Sequence, residues 1–219
     1  MEDDIVQMRL LYNRLGVNKE RMMALSDGVF AIAITLLVLD LTIPEIPSQQ
    51  IDVLLLPSLV DIYPKMIGFS LSFFIIAYYW FSYHRMFSFI RDVDQHLIVL
   101  NIFFLFFIAF MPFPTLLLGL YGAHVSVVIF YAAVIASSSF LLCLIWHHGA
   151  HCDNLLNQPL DANFIQYLSV RSMIPIGVFL ASIGIALASP LAAMISWGSL
   201  VILFPLVKWK YTRQFRTVA

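Results

Sequence analysis

The 219-residue chain is 61% hydrophobic and 15% aromatic, only 11% charged, and carries a formal net charge of -1 with a mean hydropathy of +0.90. A soluble domain has about 25% charged residues, so the composition excludes a water-soluble protein and points to an integral membrane one. The lack of any long basic or acidic run excludes nucleic acid as a partner.

Six apolar stretches are long enough for the roughly 20-residue helices that cross a bilayer. They run at about 24 to 43, 64 to 84, 97 to 118, 123 to 146, 170 to 188 and 190 to 206. Pro44 and Pro47 stop the first, Pro112 and Pro114 bend or end the third, Pro175 sits early in the fifth, and Pro190 separates the fifth from the sixth. In the first long loop, Val53 to Leu56 forms a short apolar run, read as an interfacial turn. No Pro/Gly/Ser linker divides the chain, so residues 1–219 are read as one all-α, six-helix membrane domain.

The N-terminus, M-E-D-D-I-V-Q-M-R-L, is acidic where a signal peptide would be basic and then apolar, so the first span is expected to remain in the mature protein. Arg9, Arg14, Lys19 and Arg21 precede the first span, Arg85 and Arg91 follow the second, Arg171 lies between the fourth and fifth, and Lys208, Lys210, Arg213 and Arg216 follow the sixth. All lie on one side of a six-span path, with only Lys65 on the other, so both termini are predicted to be cytoplasmic. Cys143 lies in an apolar run and neither it nor Cys152 belongs to a C-x-x-C, so a buried thiol is expected and no disulfide framework.

Six spans with both ends inside suggest a cation channel. No span carries the Arg or Lys at every third position that a voltage sensor needs. The nearest string to a carbonyl filter, Thr115-Leu-Leu-Leu-Gly119-Leu-Tyr121-Gly122, has the wrong spacing and is read as a plain turn between the third and fourth spans. The first span is unusual in another way. R-M-M-A-L-S-D-G, residues 21–28, places Asp27 about a turn inside an apolar run, where an unpaired carboxylate costs several kcal/mol. It must therefore face protein or water.

Arg21, Ser26, Asp27 and Gly28, followed by V-F-A-I-A-I-T-L-L-V-L, closely resemble the signature of the transmembrane protein 175 family of endosomal and lysosomal potassium channels, with Leu25 where that family usually has Phe. Tyr79 to Arg85 (Y-W-F-S-Y-H-R), Leu100-Asn101 and Phe110 to Pro114 (F-M-P-F-P) are similar to further family strings. The resemblance reaches to about residue 120, and beyond it only hydropathy agrees. It implies a homotetramer in the cell membrane, similar to the one-repeat prokaryotic form, that passes potassium in preference to sodium through a pore lined by the first helix. Aligned through Ser-Asp, the family's constricting isoleucine falls on Ile32, with further apolar rings at Leu36 and Leu39 and a polar neighbour at Thr35.

The spacing agrees with that expectation. Gly28, Ile32, Thr35 and Leu39 are four, three and four apart, one stripe of a helix that Leu36 adjoins. Narrow apolar rings gate by dewetting and discriminate ions by how much hydration must be shed. The same run also suits any buried spanning helix, in which Thr35 would bond its own backbone.

Trp80 and His84 are four apart at the end of the second span, level with Arg21, Ser26 and Asp27. Pairing of Asp27 with Arg21 or His84 would keep the carboxylate at that depth, and the resemblance assigns this network to bracing the pore helices. Titration of His84 would make it a proton sensor instead. The string H-H-G-A-H-C-D, from His147 and His148 through His151, Cys152 and Asp153, has metal-ligand chemistry in the expected fourth-to-fifth loop, but its spacing matches no established zinc pattern, so no metal or other cofactor is assigned. Ser26 and Asp27 are adjacent and point about 100° apart on a helix, which argues against a nucleophile relay with His84 and against an enzyme. A proton-coupled secondary transporter using Asp27 and His84 is the stronger rival, although the sequence lacks the paired Gly/Pro-broken midplane helices of such carriers.

Overall fold

A computed structural model describes residues 18–152 and 155–216; Arg9, Arg14, Asp153 and the acidic N-terminal segment lie outside those residues. The helices are α1 (Lys19–Leu36), α2 (Ile51–Asp61), α3 (Tyr63–Phe87), α4 (Gln95–Phe110), α5 (Pro112–Tyr121), α6 (Val125–His151), α7 (Ala162–Ala188), α8 (Pro190–Trp197) and α9 (Leu200–Arg216). Six spans of membrane-crossing length and composition result: Lys19–Asp40, Tyr63–Phe87, Gln95–Tyr121, Val125–His151, Ala162–Ala188 and Pro190–Tyr211. Among the described residues every regular element is helical, apart from a single bridge between Ile90 and Leu156.

Local chemistry sets the helix ends. Asn18 caps α1 by accepting the Arg21 N–H at 2.9 Å, and the span closes in a tighter 3-10 turn over Leu37–Asp40 before Pro44. Asp94 caps α4 through the Leu97 N–H at 2.8 Å. The third span is interrupted where Pro112 lacks the N–H that would reach the Ile108 carbonyl; Met111 takes that carbonyl instead at 3.2 Å. Asp161 caps α7 by accepting from Asn163 and Phe164, and Ser189 caps α8 with Pro190 as its first residue.

The bundle is organised around α6. In its most apolar stretch 61% of residues are buried, against 28% for the first and fifth spans and 11% for the sixth, so those three lie toward the periphery. α6 packs most extensively on α7 and then on α4, while α1 lies against α4 and α3. Hydroxyls tie the interior together: Ser72 Oγ is 2.8 Å from Tyr131 Oη and 2.7 Å from Thr115 Oγ1, and Tyr79 Oη donates to the Ile135 carbonyl at 2.8 Å.

Several sequence expectations change here. Val53 to Leu56 belongs to an 11-residue helix, α2, not to a turn. Thr115 to Tyr121 lies in α5, not in a connection, because Gly119 lets that helix sit against α3; a Cβ there would stand 3.0 Å from Lys65 Cα. Arg171 lies well inside α7, since capping by Asp161 starts that helix earlier than hydropathy indicates. Its guanidinium rests 5.1 Å from the Phe204 ring centroid and donates to Tyr167 Oη at 3.2 Å. His147, His148 and His151 fall in the last turns of α6. The third span breaks at Met111, beside Pro112 as expected, and the sixth also breaks, at Gly198–Ser199, which hydropathy does not register. Cys143 is a buried free thiol, as expected.

Candidate functional site

The inward face of the first span is Met22, Ser26, Phe30, Ala33 and Leu37, spaced four, four, three and four and all buried. Phe30 anchors it. Its ring lies 6.0 Å from that of Tyr83 on α3 and 5.9 Å from that of Phe104 on α4, and those two rings stack on each other at 5.9 Å and 12°.

Ser26 is the polar hub of this face. Its hydroxyl donates to the Met22 carbonyl at 2.9 Å, so its lone pairs accept from Tyr83 Oη at 2.9 Å and from Asn101 Nδ2 at 3.2 Å. Three helices are thereby pinned through one oxygen. Tyr83 and Asn101 enter the sequence reading only within family-like strings, with no role of their own. The signals for them were a lone amide in the apolar run of α4 and a tyrosine four residues after Tyr79.

Asp27 belongs to a separate cluster on the flank of α1. Trp80 Nε1–H donates to Asp27 Oδ1 at 2.9 Å, and His84 Nε2 meets the same oxygen at 2.7 Å. The Trp80 and His84 rings stand 4.7 Å apart. Half of the Asp27 side chain remains exposed. Of the two partners considered for Asp27, His84 is the one it meets. Arg21 is exposed and makes no side-chain hydrogen bond or ion pair among the described residues. It lies seven residues before Gly28, two helical turns, and so heads the outward stripe instead.

That stripe is bare among the described residues. Ile32 is 60% exposed, Leu36 41% and Leu39 66%, and nothing approaches within 4 Å of where a Gly28 Cβ would be. At 100° per residue the stripe and the packed face point about 150° apart. Leu39 falls in the 3-10 turn, which presents it slightly off the α-helical line. Thr35 Oγ1 is 2.9 Å from both the Ala31 and Ile32 carbonyls, so its hydroxyl is satisfied by its own helix. The arrangement is a helix fixed on one face by aromatic and hydroxyl contacts, presenting the other face, apolar and uncovered, away from its own bundle.

Residues 21–112 match the family model described as endosomal/lysosomal potassium channel TMEM175. A protein from Chamaesiphon minutus named as a potassium channel is 33% identical over 172 residues, which is 77% of this chain and 84% of the relative. One from Streptomyces collinus, also named as a potassium channel, is 29% identical over 189 residues, 84% of this chain and 90% of the relative. The crystal structure of a lysosomal potassium-selective channel TMEM175 homolog from Chamaesiphon minutus superimposes with a TM-score of 0.71 at 28% identity, covering 88% of this chain and 97% of that one. The likeness thus extends past residue 120 and takes in the second half of the bundle, where the sequence shows only hydropathy. The chain belongs to the endosomal/lysosomal potassium channel TMEM175 family, a family of channels rather than enzymes.

Proposed function

We propose that this chain is one subunit of a potassium-selective cation channel in the cell membrane, in which four copies place α1 around a shared axis. Ile32 forms the main constriction, Leu36 and Leu39 form further apolar rings, and Thr35 is the adjoining polar position. The observation that carries this reading is the exposed apolar stripe of a peripheral helix, set about 150° from a face that is fully packed. An apolar ring selects by the cost of dehydration, which is lower for potassium than for sodium, so selectivity is moderate. The distribution of Lys and Arg supports cytoplasmic termini.

Asp27, Trp80 and His84, together with Ser26, brace the helices around that axis, and Arg21 acts from the stripe side. Asp27→Ala removes the acceptor shared by Trp80 and His84 and is expected to lower the yield of assembled oligomer on size-exclusion chromatography; normal assembly rejects the bracing role. Arg21→Ala is expected to change subunit stability by no more than about 0.5 kcal/mol, because Arg21 has no side-chain partner in its own subunit among the described residues. Any assembly defect from that variant therefore reports contacts between copies.

The 2.7 Å contact of Asp27 with His84 favours one alternative, a proton-coupled carrier. The third- and sixth-span interruptions, which such a carrier would use, lie toward the end of the bundle opposite to this pair, which weighs against it. Purified protein in planar bilayers with potassium on one side and sodium on the other separates the two. A channel gives currents whose reversal tracks the cation gradient at any proton gradient. Transport that stops when the proton gradient is withdrawn would overturn the channel reading.

A further inference from the structure

The end of the bundle that holds Asp27 and His84 carries a second cluster, assembled from parts far apart in sequence. The α3–α4 loop is strapped to the segment after α6: Arg91 N–H donates to the Leu155 carbonyl at 2.6 Å, Asn157 N–H to the Phe89 carbonyl at 2.9 Å, and Asn157 Nδ2 to the Ser88 carbonyl at 2.8 Å. Gly149 makes room for the loop, since a Cβ there would lie 2.6 Å from Ile90 Cδ1. These contacts set the start of α4 against the end of α6.

At that junction Asp94 uses its two oxygens differently. Oδ1 caps α4 through the Leu97 N–H, which holds the carboxylate in place. Oδ2 faces two imidazoles: it lies 2.7 Å from His148 Nε2 and 4.0 Å from His96 Nδ1. The two rings are 5.5 Å apart, and one ligand atom from each of the three residues lies within 4.8 Å of the others. His147 and His151, by contrast, stack on each other at 4.4 Å away from this group. The cluster therefore regroups the H-H-G-A-H-C-D string, keeping only His148.

We propose that Asp94, His96 and His148 form a site for a divalent transition-metal ion of the zinc class, with a water completing the coordination. Two imidazole nitrogens and one carboxylate oxygen suit zinc and its first-row neighbours, whereas calcium and magnesium prefer all-oxygen sites. Tetrahedral zinc with bonds of about 2.0 to 2.2 Å needs ligand atoms roughly 3.3 to 3.5 Å apart. His96, 82% exposed, is free to swing in, and the ion takes the place of the direct contact between Asp94 Oδ2 and His148 Nε2. Cys152 Sγ lies beside the His148 ring, 3.5 Å from Nδ1, as a neighbour of the ligand and outside the set of three. A bound ion ties the start of the third span to the end of the fourth, on the loop side of the Asp27 cluster.

The test is calorimetric titration of zinc into the purified, tag-free full chain, with cobalt absorption as a second readout. One equivalent per subunit at micromolar affinity or better is expected, with a zinc-dependent rise in melting temperature. His96→Ala, at a surface position that leaves the fold intact, and His148→Ala are each expected to weaken binding at least about tenfold, while His147→Ala leaves it unchanged. Asp94→Asn keeps the helix cap and weakens binding. Equal affinity in the wild type and in the His96 and His148 variants, loss on His147→Ala, or a thiolate-to-cobalt charge-transfer band would each overturn the assignment.

Discussion

Asparagine in place of Ile32 is expected to raise sodium permeation relative to potassium by about threefold to tenfold, equivalent to up to about 1.4 kcal/mol of lost discrimination. Ile32 is 60% exposed on the uncovered face of α1. Four β-branched side chains at a shared axis would leave a narrow, dry ring that ions cross only by shedding water. Four amides hydrate that ring and supply oxygen ligands to either cation, so the difference in dehydration cost between sodium and potassium shrinks. The reversal potential under bi-ionic potassium and sodium reads the change. Leu180→Asn, on an exposed face of α7, is the matched control because it adds the same polar group at 55% exposure without touching α1. Selectivity unaltered by Ile32→Asn, or altered equally by Leu180→Asn, moves the constriction elsewhere.

Phe30→Ala is expected to cost the subunit about 3 kcal/mol, the lower end of the range for deleting a buried aromatic side chain. The lower end applies because a displaced helix in a bilayer returns its side chain to lipid instead of water, leaving the cavity and the lost ring contacts as the penalty. Phe30 is 1% exposed and wedged between Tyr83 and Phe104, so three helices border the void. Phe30→Leu fills most of it and is expected to cost about 1 kcal/mol. Heating the detergent-solubilised protein and measuring the folded fraction by size exclusion ranks the three forms. Equal melting temperatures for wild type and Phe30→Ala would contradict the anchoring role of this ring. In the alanine variant α1 is also free to rotate, so loss of ion selectivity alongside loss of stability is the expected pairing.

Legibility of the site in the sequence differed from residue to residue, for identifiable reasons. The Ile32, Thr35 and Leu39 stripe follows from spacing, since a helix has a fixed period. Trp80 and His84 on one face follow from the same rule, and their meeting with Asp27 is what a carboxylate at that depth requires. Arg21 misleads because sequence proximity to Asp27 says nothing of direction: six residues apart on a helix places them about 120° from each other. Ser26, adjacent to Asp27, points to a different helix pair and joins Tyr83 and Asn101. Contacts between distant segments, such as Asp94 with His148, leave no periodic trace at all.

Composition and hydropathy alone determine that the chain is helical, membrane-embedded and six-spanned, because a bilayer demands long apolar segments whose backbone groups are satisfied internally. Only the tertiary structure decides which side of α1 turns inward. Lipid and protein interior are equally apolar, so hydrophobicity does not tell one face of that helix from another. The choice falls instead to shape and hydrogen bonding, to the Phe30 ring seated between two aromatics and the Ser26 hydroxyl held by two helices, and these leave Ile32 facing out.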